Sequence, residues 1–311
     1  MPNAMLDLPI HIGFCAPSRV IADTDKVEAI RTFLSQRAVT ASFDETVFRN
    51  EKMFGGNDSE RLNGLMRMVS DPSVDVVMPI RGGYGLTRIL DVIDFDAIAR
   101  HEPILCGLSD FTLFNLAYFA HTGKVSYQGP TGSSFQSTCP DSAWTSFVNA
   151  ISDECWEVNF ASPDTKDSMF EGTIWGGNLT MMTSILGTKH FPNVEGGILF
   201  LEDVHERAYR IERMLLQLEM AGVLQQQKAI LWGDFKGADP INANPNDFLL
   251  SDVLDYLRTR LPNVPIVTGL PFGHIDARVT IPVGAHASMA VSEGIVTVRS
   301  TDHPTIYQRK G

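Results

Sequence analysis

The chain has 311 residues, 44% hydrophobic, 20% charged and 9% aromatic, a balance that excludes a disordered or fibrous protein and leaves room for about two domains with their own cores. Its 25 basic and 37 acidic side chains leave a formal charge of -12, so a nucleic-acid surface would have to be built against the protein's own field. A few clustered arginines holding an anionic metabolite are not excluded.

The amino-terminal MPNAMLDLPIHIGFCAPS lacks the basic start and long apolar run of a secretory signal, and no stretch nears the ~18 apolar residues of a membrane span. A cytoplasmic setting without a membrane partner is expected. Cys15, Cys106, Cys139 and Cys155 form no C-x-x-C pair, so neither a zinc site nor a disulfide framework is expected. Cys15 and Cys106 read as small buried hydrophobes.

Over residues 1–130 short apolar runs alternate with amphipathic ones: IHIGFCAPS, VEAIRTFLSQ, RLNGLMRMVS, VDVVMPI, PILCGLS. Continuous apolar runs between helices predict a doubly wound α/β domain on a parallel sheet. Ligands of such sheets gather at the carboxyl ends of the strands, which singles out Ser18, the RGGYG at 81–85 and Ser109. Residues 131–168 are rich in Ser, Thr, Asp and Pro and read as an inter-domain connection with one helix near DSAWTSFVNAI and one strand near WEVNF. Residues 169–311 resume with GTIWGGNLTMMTSILG, GGILFLEDV, the helix RAYRIERMLLQLEMAGVL and the strand KAILWGDF, and end in the short strands PIVTGLPF, ARVTIPVG and GIVTVRS. They predict a strand-rich α/β domain.

In PILCGLSDFTLFNLAYF, Ser109 sits where a strand turns into a helix. It is either the helix's N-cap or a presented nucleophile, with the backbone N–H of Asp110 offered to an oxyanion. The turn resembles a nucleophile elbow but lacks the second glycine of G-x-S-x-G. A serine needs a base and the base an orienting partner. Among eight histidines, His274 ends the run PIVTGLPFGH, His205 lies in LEDVHE, His190 in TKHFP, and His11 reads as buried. Glu202 and Asp203 close the apolar run GGILFL, as a solvated turn or as placed site residues. RGGYG is either a tight turn or a loop that aims N–H groups at an anion.

Taken together, RGGYGLTRIL, ILCGLSDFT, GTIWGGNLTMMTSILGT, GGILFLEDVHERAYRIERMLLQLEMAGVL and GLPFGH resemble the serine LD-carboxypeptidases, in particular the cytoplasmic muramoyltetrapeptide carboxypeptidase type. The likeness runs from Phe14 to about Gly284. It implies a triad of Ser109, Glu202 and His274, an oxyanion hole from the backbone N–H of Gly83 and Asp110, no cofactor or metal, and a homodimer. The implied reaction is release of the terminal D-alanine from murein tetrapeptide during cell-wall recycling. Arg81 and Arg88, beside the glycine turn, are candidates to hold the terminal carboxylate. The sequence departs from the family at Leu108, often polar or aromatic there, and at His205, where Gly or Asn is common. Two alternatives stand beside this one. A peptidase like the microcin-immunity enzymes would stack a nucleobase on Trp144, Phe147, Trp156 or Phe160; a non-catalytic ligand-binding module would use Ser109 only as a cap.

Overall fold

The computed structural model describes residues 9–163 and 165–310. Among these residues two sheets form. The first contains β1 (Ile10–Cys15), β2 (Val39–Phe43), β3 (Val76–Pro79), β4 (Ile104–Gly107) and β5 (Ser126–Gln128). The second is built from β6 (Trp156–Ala161), β7 (Ser168–Asn178), β8 (Ile198–Val204), β9 (Ala229–Lys236) and β10 (Ile266–Thr268). The chain then continues through β11 (Ile281–Val283), β12 (His286–Ser292) and β13 (Ile295–Ser300).

The first sheet has the order β11-β5-β4-β3-β1-β2 and the second β10-β9-β8-β7-β12-β13-β6. Strands β1 to β5 pair in parallel, because helices cover the crossovers and bury the strands on both faces. Strands β3 and β4 are buried throughout, as their continuous apolar sequences require. The strand order reverses between β1 and β3, and the crevice at their carboxyl ends is where such sheets receive ligands. Both expected layers are present, the first parallel over most of its width and the second strand-rich.

Sheet membership does not follow chain order. Strand β11, late in the sequence, pairs antiparallel with β5 as the edge of the first sheet. Immediately after it the chain is bonded to β7, Gly284 N donating to Ile174 O (2.8 Å) and Ile174 N to Ala285 O (2.9 Å). The passage expected to connect two domains is likewise built into both. Its helix Asp141–Ser152 places Trp144 edge-on to Phe33 of the first half, while β6 pairs with β13 in the second. One continuous apolar core runs through both halves. The cleft between them therefore has two walls fixed by shared packing and strand pairing.

Candidate active site

Strand β4 delivers its last residue, Gly107, to the cleft, and a short 3-10 turn at Ser109–Phe111 leads into the helix Thr112–Thr122. Ser109 has φ +65°, the left-handed region that costs a non-glycine residue about 1–3 kcal/mol. An N-cap has extended backbone and a side chain bonded to the next turn. Here Leu108 and Phe111 take the N-cap positions, neither with a side-chain cap bond. The strained serine is presented rather than used as a cap.

RGGYG follows β3 and folds against this turn. A Cβ added at Gly82 would lie 2.8 Å from Ser109 Cβ and 3.2 Å from Ser109 Oγ, so only glycine admits the serine there. Gly83, with φ +111°, packs instead against the Arg19 side chain. Asp110, from which the sequence reading used only the backbone N–H, has a fully buried side chain whose Oδ2 accepts the N–H of Leu86 at 2.9 Å. That bond ties the glycine loop to the Ser109 turn. Burial pushes the Asp110 carboxyl up, against the Leu86 N–H and the Ser18 hydroxyl, which favour the anion.

Across the cleft, β8 lies between β7 and β9 and is buried up to its final residue. Glu202, two residues before its end, is fully buried. Its Oε2 accepts from His274 Nδ1 at 2.7 Å, and its Oε1 accepts from Asn178 Nδ2 at 3.1 Å. With Nδ1 so engaged, Nε2 is the ring nitrogen left to take a proton from a serine. The loop carrying His274 is held down by Phe272, which packs edge-on against Phe200 of β8 at 5.2 Å and accepts the N–H of Asp234 at 2.8 Å.

Asn178 is a site residue the sequence reading missed. Its Nδ2 also reaches Asp203 Oδ1 (3.1 Å), so one amide bridges two buried carboxylates. Burial raises the Asp203 carboxyl and the neighbouring Glu202 charge adds to this, while Thr180 and the Val204 N–H oppose it. The Asn178 backbone N–H donates to Thr112 Oγ1 at 3.1 Å, at the start of the helix that follows Ser109. A continuous path thus leads from the Ser109 helix through Asn178 and Glu202 to His274. The GGN at the end of β7 is the signal that pointed here: an amide side chain closing a buried parallel strand.

The two arginines fare differently. Arg88 grips Asp58 through Nε (2.9 Å) and Nη2 (2.8 Å) and lies over the Phe54 ring; it is committed to a surface ion pair. Arg81 has no carboxylate within ion-pair distance among the described residues, and burial and then repulsion from Arg19 push its pKa down. His205 is exposed with φ +61°, a left-handed backbone that His tolerates better than a branched residue. Leu108 is buried. Trp144, Phe147, Trp156 and Phe160 are all buried as well, so none offers a ring face to a nucleobase. A cavity of about 670 Å³ at the amino ends of β4 and β5, lined by Lys124, His303 and Arg309 among others, includes none of the site residues.

The cleft of this two-sheet α/β protein thus carries a serine with left-handed backbone at a strand-to-helix turn and a histidine bonded to a buried glutamate. Residues 12–129 match the LD-carboxypeptidase N-terminal domain and residues 171–289 the LD-carboxypeptidase C-terminal domain. The chain belongs to the LD-carboxypeptidase family and is a serine-type carboxypeptidase. It is 36% identical to a muramoyltetrapeptide carboxypeptidase from Oxalobacter formigenes, whose crystal structure superposes with a TM-score of 0.87 over 95% of this chain and 100% of that one. It is 29% identical over 303 residues to the probable murein peptide carboxypeptidase of Bacillus subtilis, covering 93% of this chain and 91% of the relative. The microcin C7 self-immunity protein of Escherichia coli is 26% identical over 308 residues, 88% of each chain.

Proposed function

We propose that this carboxypeptidase releases the terminal D-alanine from murein tetrapeptide, with Ser109 as nucleophile, His274 as general base and acid, and Glu202 orienting the imidazole. The 2.7 Å bond between His274 Nδ1 and the buried Glu202 carboxylate carries the reading, because it fixes the tautomer that leaves Nε2 free to accept a proton. Ser109 Oγ bonds to the carbonyl carbon of the penultimate residue while its proton passes to His274. The backbone N–H groups of Gly83 and Asp110 receive the oxyanion. The C–N bond then breaks, His274 protonates the departing amine, and water, deprotonated by the same histidine, frees Ser109. The names of the murein-peptide relatives support this substrate class. In the same reading the enzyme works in the cytoplasm as a homodimer, on peptides returned from wall turnover; no helix among the described residues is long and apolar enough to cross a membrane.

The test is incubation of the purified protein with muramoyl-tetrapeptide. Stoichiometric release of D-alanine and tripeptide is expected, and an unchanged tetrapeptide would overturn the proposal. Cleavage of a peptidyl nucleotide in its place would favour the microcin-immunity reading, which the buried aromatic residues of 144–160 do not support.

A further inference from the structure

We infer that Arg278 and the small polar pocket it walls form the subsite for the free α-carboxylate of the departing residue, so that the site takes a single amino acid with an open carboxyl end as leaving group. The inference rests on the serine-carboxypeptidase reading and adds to it the group that makes the enzyme an exopeptidase.

Arg278 is held by neutral partners alone. Its Nε donates to Gly273 O at 3.1 Å and its Nη1 to Ser134 Oγ at 3.0 Å. Among the described residues no carboxylate lies within ion-pair distance, and Nη2 donates to no group of the chain. Arg61, Arg67 and Arg88 each hold an aspartate. Arg278 is half-buried, and a guanidinium partly withdrawn from water with no anion beside it gains from a ligand carboxylate that meets it there. Burial indeed pushes the Arg278 pKa down, with the charges of Glu202 and Asp276 acting the other way.

The position suits the chemistry. In an α-amino acid the carboxyl carbon is two bonds from the nitrogen that His274 must protonate, so the carboxylate has to be held beside the histidine's own loop. The bond from Arg278 to Gly273 O fixes the guanidinium to the residue that precedes His274. Arg81, by contrast, belongs to the glycine loop on the oxyanion side, and Arg88 is spent on Asp58.

The pocket suits the size of the group. It is lined by Ser133, Ser134, Phe135, Thr138, Asp276 and Arg278 among others and is tied to the His274 loop through the Arg278–Gly273 bond, none of Ser109, Glu202 and His274 being in its wall. Its volume is about 170 Å³. That is well below the roughly 300–1,000 Å³ of sites for larger ligands, and it leaves room for one small residue rather than a continuing peptide. Asp276 is exposed, so its repulsion of an incoming carboxylate is screened by water and salt.

The experiment compares kcat/KM of the full chain on a murein tetrapeptide with a free terminal D-alanine and on the same peptide with that carboxyl amidated, for wild type, Arg278→Gln and Arg278→Lys. Wild type is expected to prefer the acid by roughly thirtyfold or more. Arg278→Gln should lose about that factor on the acid and little on the amide. Arg278→Lys, which keeps the charge but not the fork, should retain part of the preference and guards against a folding defect in the glutamine variant. If both variants discriminate acid from amide as wild type does, Arg278 is not the anchor. If wild type cleaves acid and amide equally, there is no carboxylate subsite, although the hydrolase reading survives. If wild type cleaves neither, the substrate reading falls and this inference with it.

Discussion

Gly82 lies so close to Ser109 that a methyl group at position 82 would stand 2.8 Å from the serine Cβ and 2.9 Å from the carbonyl oxygen of Leu108. Neither neighbour is the far end of a flexible side chain, so relief requires the backbone of the nucleophile turn or of the glycine loop to move. Both flank the expected oxyanion position.

Gly82→Ala should therefore lower kcat by at least about a hundredfold, the usual consequence of displacing a reacting group by an ångström. The melting temperature should fall only modestly, since the loop lies beyond the carboxyl end of β3 and no strand pairing depends on it. Steady-state kinetics on the tetrapeptide, with a thermal melt of the same sample, checks this. A variant with near-normal kcat would show that the close approach has no part in setting the site.

Ser109 holds a left-handed backbone conformation at φ +65°, and glycine adopts it without the steric cost that a Cβ brings. Ser109→Gly should abolish turnover, leaving only what binding and the oxyanion donors provide, while raising stability by up to about 1 kcal/mol. Ser109→Ala should lose activity equally without the gain. Denaturant melts of the three proteins separate the effects, and a glycine variant less stable than the alanine one would mean the turn is not strained.

Much of this was legible in the sequence, and the part that was not has a physical reason. The local pattern placed Ser109, Glu202 and His274 where apolar runs stop, but left each open between a structural and a site role, and only the family resemblance joined the three. The pattern also gave both layers. It did not give the return of Ile281–Val283 to the first sheet, because a three-residue apolar strand carries no mark of which edge it will pair with. Asn178, Arg278 and the Asp110 side chain were missed for the same reason, since their roles are defined by partners 24 to 144 positions away. Arg88 looked free because the aspartate that captures it lies 30 residues upstream.

The fold also predicts a pH response away from the cleft. Asp44 is buried, which alone would raise its carboxyl, but bonds from Arg67 and Thr46 outweigh this and hold it below the usual carboxylate range. A lowered folded-state pKa stabilises above the unfolded value of about 3.9 and is lost as pH falls through the folded one. Asp44→Asn should thus melt below wild type at pH 5 to 7, by roughly 1–2 kcal/mol for charged hydrogen bonds. The difference should shrink steadily below about pH 4. A gap that stays constant down to about pH 2 would assign the loss to packing instead of charge.

The sharpest test of the Glu202–His274 pair is Glu202→Gln, because Asn178 decides how the new amide must sit. Asn178 presents its NH2 group to Oε1 of residue 202 at 3.1 Å, so a glutamine there turns its oxygen toward Asn178 and its own NH2 toward His274. The reverse orientation would set two NH2 groups against each other. The glutamine then donates to Nδ1, which forces the imidazole proton onto Nε2, and an Nε2 that already carries a proton cannot accept one from Ser109. Size and hydrogen-bond count are nearly preserved, so KM and the melting temperature should change little. The kcat should fall by about a thousandfold or more, as loss of the correct tautomer does in related triads. Retention of activity within tenfold of wild type would mean that His274 is not oriented through Nδ1, and the base would have to be sought elsewhere in the cleft.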